Sequence, residues 1–215
     1  NNFKDPVRDF VNPCRLFSLN DEAGLVICDF PQGKQKPRIP IPYAQETMTG
    51  FEYAAAIQMI QAGMVEEGMR VVEAIRDRYD GEKRNPWNEI ECGSNYARSM
   101  ASYSLLNAFS GFQYDMVKGM IGFSPVIFDK GNESIWNCFF SLDSGWGNIC
   151  ITGDSVQLEI KMGTLKLRNL RLPFLSEPIQ WIRLGGQKIV YRLDQQSICF
   201  DNEITLQAGD VLVIR

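Results

Sequence analysis

The sequence predicts an α+β fold in which helices come first and an antiparallel β-sandwich or jelly-roll layer follows. Three observations predict it. Residues 48–80, MTGFEYAAAIQMIQAGMVEEGMRVVEAIRDRYD, place apolar side chains at three- and four-residue spacing. After about Gly119 the period falls to two, most plainly at Val156, Leu158 and Ile160. Turn dipeptides then cut the remainder into roughly seven or eight short strands over about 90 residues, the spacing of a sandwich rather than of a βαβ sheet. The division this implies is 1–118 and 119–215.

Each element has its own signal. Residues 15–30, RLFSLNDEAGLVICDF, read as two short strands around an Asp-Glu-Ala-Gly turn. Pro37, Pro40 and Pro42 then exclude a helix and favour an extended surface stretch. Thr49 followed by Glu52 has the spacing of a capping box at the start of a first helix with Phe51, Ile57 and Ile60 among its apolar positions. Gly63 supplies the stop. A second helix follows with Val65, Met69, Val72, Ile75 and Tyr79 on one stripe, so the pair forms an αα-hairpin. A third helix is expected over residues 96–109, with Met100, Tyr103 and Leu105 or Leu106 inward. In the β part, Met162-Gly163 reads as a turn, Gly185-Gly186 as a two-residue hairpin and 208–210 as a further break between strands.

Composition excludes several functions. With 45% hydrophobic and 22% charged residues the chain is an ordinary globular sequence. Its 22 basic and 26 acidic residues leave a net charge of −4 without a basic run, so nucleic acid is not an expected partner. There is no histidine, which removes Ser-His-Asp and Cys-His catalysis and the commonest transition-metal ligand. Cys14, Cys28, Cys92, Cys138, Cys150 and Cys199 are scattered without a CxxC pair, so no zinc site and no cofactor is expected. Apolar neighbours point to buried reduced thiols, while the even number leaves disulfides open. No apolar run approaches the roughly 18 residues of a transmembrane helix. The chain opens Asn1-Asn2-Phe3 and reads as a piece of a longer protein.

Three stretches carry a family resemblance: residues 5–31, DPVRDFVNPCRLFSLNDEAGLVICDFP; residues 39–56, IPIPYAQETMTGFEYAAA; and residues 84–112, RNPWNEIECGSNYARSMASYSLLNAFSGF. They resemble glycoside hydrolase family 116, the non-lysosomal glucosylceramidases and related bacterial β-glucosidases. The resemblance spans roughly residues 1–125 and is weak beyond. It implies that residues 1–118 are the last helices of an (α/α)₆ catalytic toroid and 119–215 a β domain bracing it. It further implies a retaining mechanism whose glutamate nucleophile and aspartate acid/base belong to earlier motifs that this chain does not contain. The chain alone is then expected to be inactive, to serve a β-glucoside substrate only as part of the complete enzyme, and to pack against the missing N-terminal part or a second copy.

Within 84–100 the question is what Glu89 and Glu91 do. A retaining pair needs carboxyls about 5–5.5 Å apart on opposite sides of the anomeric carbon, and two glutamates one residue apart in a proline-bounded segment do not suit that geometry. The resemblance implies instead that Glu89 and Arg98 hold the outer hydroxyls of a glucose ring, with Glu46 also lining the pocket. A carboxylate accepts from two hydroxyls, and a guanidinium donates and orients the carboxylate. The competing reading is an ion pair of Arg98 with Glu89 or Glu91 at the start of the third helix. Two positions depart from the family, Met48 where an aromatic is common and Asn95 where histidine is common. A second function class also stands: a non-catalytic carbohydrate-binding or scaffold protein. Trp87 reads as a loop anchor, and residues 132–134 match a glycosylation acceptor.

Overall fold

The helical spacing of 48–80 and the alternation after 119 produce two compact units in a computed structural model, Asn1–Ala108 and Phe109–Arg215. The structure describes residues 2–7, 17–30, 34–35, 38–39, 43–86, 98–127, 135–175 and 178–215. Trp87, Glu89, Glu91, Asn95, Pro37, Pro40, Pro42, Cys14, Cys92 and the acceptor at 132–134 lie outside the described residues.

In the first unit, α1 (Thr49–Gln61) and α2 (Val65–Arg78) form the expected hairpin, with Gly63 at φ +82 in the connection. The capping box does not form. Met48 is the N-cap, without a side-chain cap, and Thr49 already lies inside the helix. Glu52 turns inward to a different partner, described below. On the predicted α2 stripe Ile75 and Tyr79 are buried and Val72 packs against them, while Val65 and Met69 are half-buried; Val71, Ala74 and Arg78 are buried beside them. Tyr53, Ala56, Val71, Ile75 and Tyr79 make the small core between the helices. The third helix is broken into a 3-10 segment, Arg98–Tyr103, and a short α3, Ser104–Ser110. Its inward face is Leu105 and Ala101, whereas Met100 and Tyr103, expected inside, are 64% and 76% exposed. The hairpin expected over 15–30 is also replaced. Gly24–Leu25 (β2) pairs with Phe3–Lys4 (β1), and Val26 bridges Thr47. A single hairpin with this third segment is not a ring, so the toroid implied by the family resemblance is not seen.

The second unit is built on one long strand. In chain order its strands are β3 (Gln113–Asp115), β4 (Met120–Gly122), β5 (Trp136–Leu142), β6 (Gly145–Ile151), β7 (Val156–Arg171), β8 (Ile182–Leu184), β9 (Gln187–Lys188), β10 (Tyr191–Asp194), β11 (Ser197–Gln207) and β12 (Val211–Ile214). The N-terminal half of β7 pairs with β6 and β12, and its C-terminal half pairs with β11 and β4. Met162-Gly163 is therefore not a turn but a point within β7, beside a register shift against β6. Residues 208–210 form a true break: β11 and β12 on either side pair with opposite halves of β7. Gly185-Gly186, at φ +57 and +83, is the predicted hairpin joining β8 to β9. The sheet is mixed rather than antiparallel, because β4 runs parallel to β7. Alternate residues of both halves, among them Ile149, Leu158, Ile160, Leu167, Leu170 and Leu212, meet in one apolar core. No helix among the described residues is long and apolar enough to cross a membrane.

Candidate functional site

Around the start of α1 the first unit buries charge. Tyr43 and Gln45 adopt positive φ and turn the chain so that residues 46–48 run back past 26–28. Gln45 N–H donates to the Cys28 carbonyl, and Ile27 N–H donates to that of Glu46, both at 2.9 Å. This inserts the Glu46 side chain into the interior, where it is 0% exposed. Its Oε1 accepts from the Ser18 N–H at 3.2 Å and the Thr47 N–H at 3.0 Å. The Ser18 and Thr47 hydroxyls bond to one another.

One turn into α1, Glu52 meets Arg78 from the last turn of α2, both fully buried. Glu52 Oε2 accepts from Arg78 Nη2, and Oε1 accepts from the Leu25 N–H at 2.9 Å. Arg78 Nη1 donates to the Ala23 carbonyl at 2.5 Å and to Ala74 at 3.3 Å. Burial pushes the Glu52 carboxyl above its ordinary pKa, opposed by the Arg78 guanidinium and the Leu25 N–H. Gly24 is required here: a Cβ would lie 2.5 Å from Arg78 Nη1 and 2.9 Å from Glu52 Oε1. Further out, Arg84 forks onto Glu22 at 2.5 and 2.9 Å and donates to the Arg78 carbonyl at 2.9 Å. Lys4, Gln45 Nε2 and the Phe30 N–H converge on Asp29 and hold its carboxyl down at about 2.

Arg98 is half-buried against the same end of α1. Its guanidinium carbon stands 5.8 Å from the centre of the Phe51 ring, and Nη1 lies 3.6 Å from Met48 Sδ. Phe51, assigned by the helical pattern to an apolar face, is 59% exposed. The start of α1 thus gathers two of the three expected sugar contacts in different ways, Arg98 at its surface and Glu46 beneath it. The third, Glu89, lies outside the described residues. No group of three or more His, Cys, Asp or Glu side chains that could hold a metal is present among the described residues. Cys28, Cys138, Cys150 and Cys199 are free thiols, and burial raises the pKa of Cys138.

Sequence reasoning missed the Glu52–Arg78 pair, although a signal existed. Arg78 continues the stripe of Val71, Ala74 and Ile75 on α2, and a charged residue on a buried stripe needs a partner. It also missed a cavity of about 490 Å³ in the second unit, lined by Thr152, Asp154, Ser155, Phe174, Trp181 and Arg215 among others. No local pattern marks that cavity, because its walls come from three separated segments.

No family model and no curated protein matches the chain. Among solved structures it is similar to a β-arabinofuranosidase of glycoside hydrolase family 127, at 11% identity and TM-score 0.34, covering 61% of this chain and 22% of that one. It is also similar to a family 127 β-L-arabinofuranosidase from Geobacillus stearothermophilus T6, at 16% identity and TM-score 0.33, covering 65% and 22%. The chain spans about a fifth of the length of these structures. At such TM-scores the likeness transfers neither substrate nor mechanism. These comparisons correct the resemblance to family 116: the glycoside hydrolases found belong to another family. The short motifs that suggested it, NPWNE, ECG and YAR, lie largely within 87–97, outside the described residues, so no geometry stands behind them.

Proposed function

We propose that this chain is a non-catalytic, sugar-contacting portion of a glycoside hydrolase-associated protein. The observation that carries the reading is the division of labour at the start of α1. Glu46 and Glu52, the carboxylates that could have done acid/base work there, are buried and bonded to internal donors. What faces outward is a guanidinium over an exposed phenyl ring. A sugar can lay its C–H face on such a ring while its hydroxyls accept from the guanidinium. In this reading Arg98 contacts the sugar, Glu89 is its partner across the hydroxyls, and Glu46 acts at one remove by tying down Ser18 and Thr47. Exposed Phe51, Met100 and Tyr103 also form apolar surface suited to the remainder of a longer protein or a second copy.

The test is binding without turnover. Isothermal titration of the purified chain with a panel of methyl glycosides should give weak binding that Arg98→Ala lowers about tenfold, a difference of about 1.4 kcal/mol. The same preparation should not release nitrophenol from aryl glycosides. Turnover would sink the non-catalytic assignment, and binding unaffected by Arg98→Ala would remove the sugar contact.

A further inference from the structure

The cavity of the second unit lies where three stretches converge: residues 151–156 around the β6–β7 turn, residues 174–175 and 178–181 between β7 and β8, and the end of β12. Its volume of about 490 Å³ falls within the roughly 300–1,000 Å³ of small-molecule sites. The walls are preorganised. Thr152 N–H donates to the Ser155 carbonyl at 2.8 Å, and the two hydroxyls lie 2.9 Å apart, closing the turn that presents Asp154. Arg215 N–H donates to the Trp181 carbonyl, and Trp181 N–H returns a bond to Arg215, both at 3.1 Å. The Tyr191 hydroxyl donates to the Ile179 carbonyl at 2.8 Å and steadies the third wall.

The chemistry of the lining selects a ligand class. Its apolar side is an indole with Phe174, Leu175 and Ile179 beside it. Arg183, which does not line the cavity, stacks 4.8 Å from the Trp181 ring centre and helps to fix the indole. The polar side carries the Thr152 and Ser155 hydroxyls, the Gln180 amide and the Asp154–Arg215 pair, joined at 2.6 Å. The Asp154 and Arg215 side chains answer each other and together offer a donor and an acceptor. Hydroxyl groups, which donate and accept together, match that pair and the neighbouring amide. We infer that this cavity is a binding site for a neutral saccharide, with one ring face against Trp181 and its hydroxyls on Asp154 and Arg215. It is separate from the sugar contact proposed at Arg98 and stands on the second unit alone.

Titration of the full chain with the neutral trisaccharides cellotriose, xylotriose and arabinotriose, followed by calorimetry, tests this. At least one should bind, with affinity lowered about tenfold or more by Trp181→Ala and several-fold by Arg215→Gln or Asp154→Asn. The last two side chains are more than half exposed, so folding does not obscure their result. The titrations are run in the Arg98→Ala background, which removes the contact proposed in the first unit; a background chain that bound no trisaccharide would assign all binding to the first unit and overturn the inference. It would equally be overturned if no trisaccharide bound, if all three variants bound like the parent, or if the acidic trigalacturonate bound more tightly than every neutral sugar.

Discussion

The two units solve the same problem, covering a core, with opposite materials. The second does so with apolar side chains from β7 and the strands around it, and its interior is almost wholly apolar. The first has a small apolar cluster between its helices, other buried apolar residues such as Val7, Val26 and Ile60, and buries the charged Glu46, Glu52 and Arg78 as well. Every buried polar or charged side chain among the described residues lies in the first unit, apart from Ser110. An apolar core tolerates the loss of a methyl group gradually, because each contact is small. A buried charge network fails steeply, because the partner left behind cannot be hydrated.

The largest expected effect follows from that contrast. Arg78→Met leaves the Glu52 carboxylate buried without its counter-charge and should cost the first unit about 3–5 kcal/mol. Glu52→Gln in the same background should restore part of the loss, since the pair is then no longer half-charged. Hydrogen exchange, which reads each unit separately, should show protection falling across α1 and α2 while β7 keeps its own. A uniform loss of less than about 1 kcal/mol would mean that the pair contributes no more than a surface bridge.

The second unit is brittle where its backbone, not its charge, is constrained. Gly163 has φ +80, and a Cβ there would lie 2.2 Å from the Ser144 carbonyl oxygen. Gly163→Ala should therefore cost about 2 kcal/mol, through a conformation unsuited to an L-residue and through a clash with main chain that cannot move alone. Denaturant melts should show the effect in the β transition only. An unchanged midpoint would mean that β7 relaxes at this point without cost.

The same contrast explains what was legible in the sequence. Period-two alternation located the core of the second unit, and the Gly185-Gly186 hairpin followed from turn chemistry alone. Period four located α1 and α2 for the same reason: apolar burial repeats, and repetition is visible. What escaped was non-repeating. Glu52 sits three residues after Thr49 and has the spacing of a capping box, yet its partner is Arg78, 26 residues on. Met162-Gly163 has turn residues, yet β11 and β12 pair on either side of it and keep β7 continuous. The Trp181 cavity needed Asp154 and Arg215 brought together from 61 residues apart. Glu46 was singled out as a pocket residue, and nothing local indicated that residues 43–45 would turn its carboxylate inward.

The smallest expected effect sharpens the contrast through pH. Asp29 has its carboxyl held at about 2, chiefly by Lys4, against an ordinary value of 3.8. A folded-state pKa below the unfolded one stabilises the protein above the unfolded value, and that contribution is lost as pH falls through the folded one. The window is therefore about pH 4 down to 2. Because Lys4 and Asp29 are partly solvated at 25% and 20% side-chain exposure, screening reduces the contribution to about 1 kcal/mol. Asp29→Asn should lower first-unit stability by that amount at neutral pH and leave it nearly equal to the parent at pH 2. The difference between the two proteins isolates Asp29 from the opposite tendency of Glu52, whose raised pKa makes protonation easier as pH falls. A difference that stayed constant from pH 7 to 2 would show that Asp29 acts through packing rather than charge.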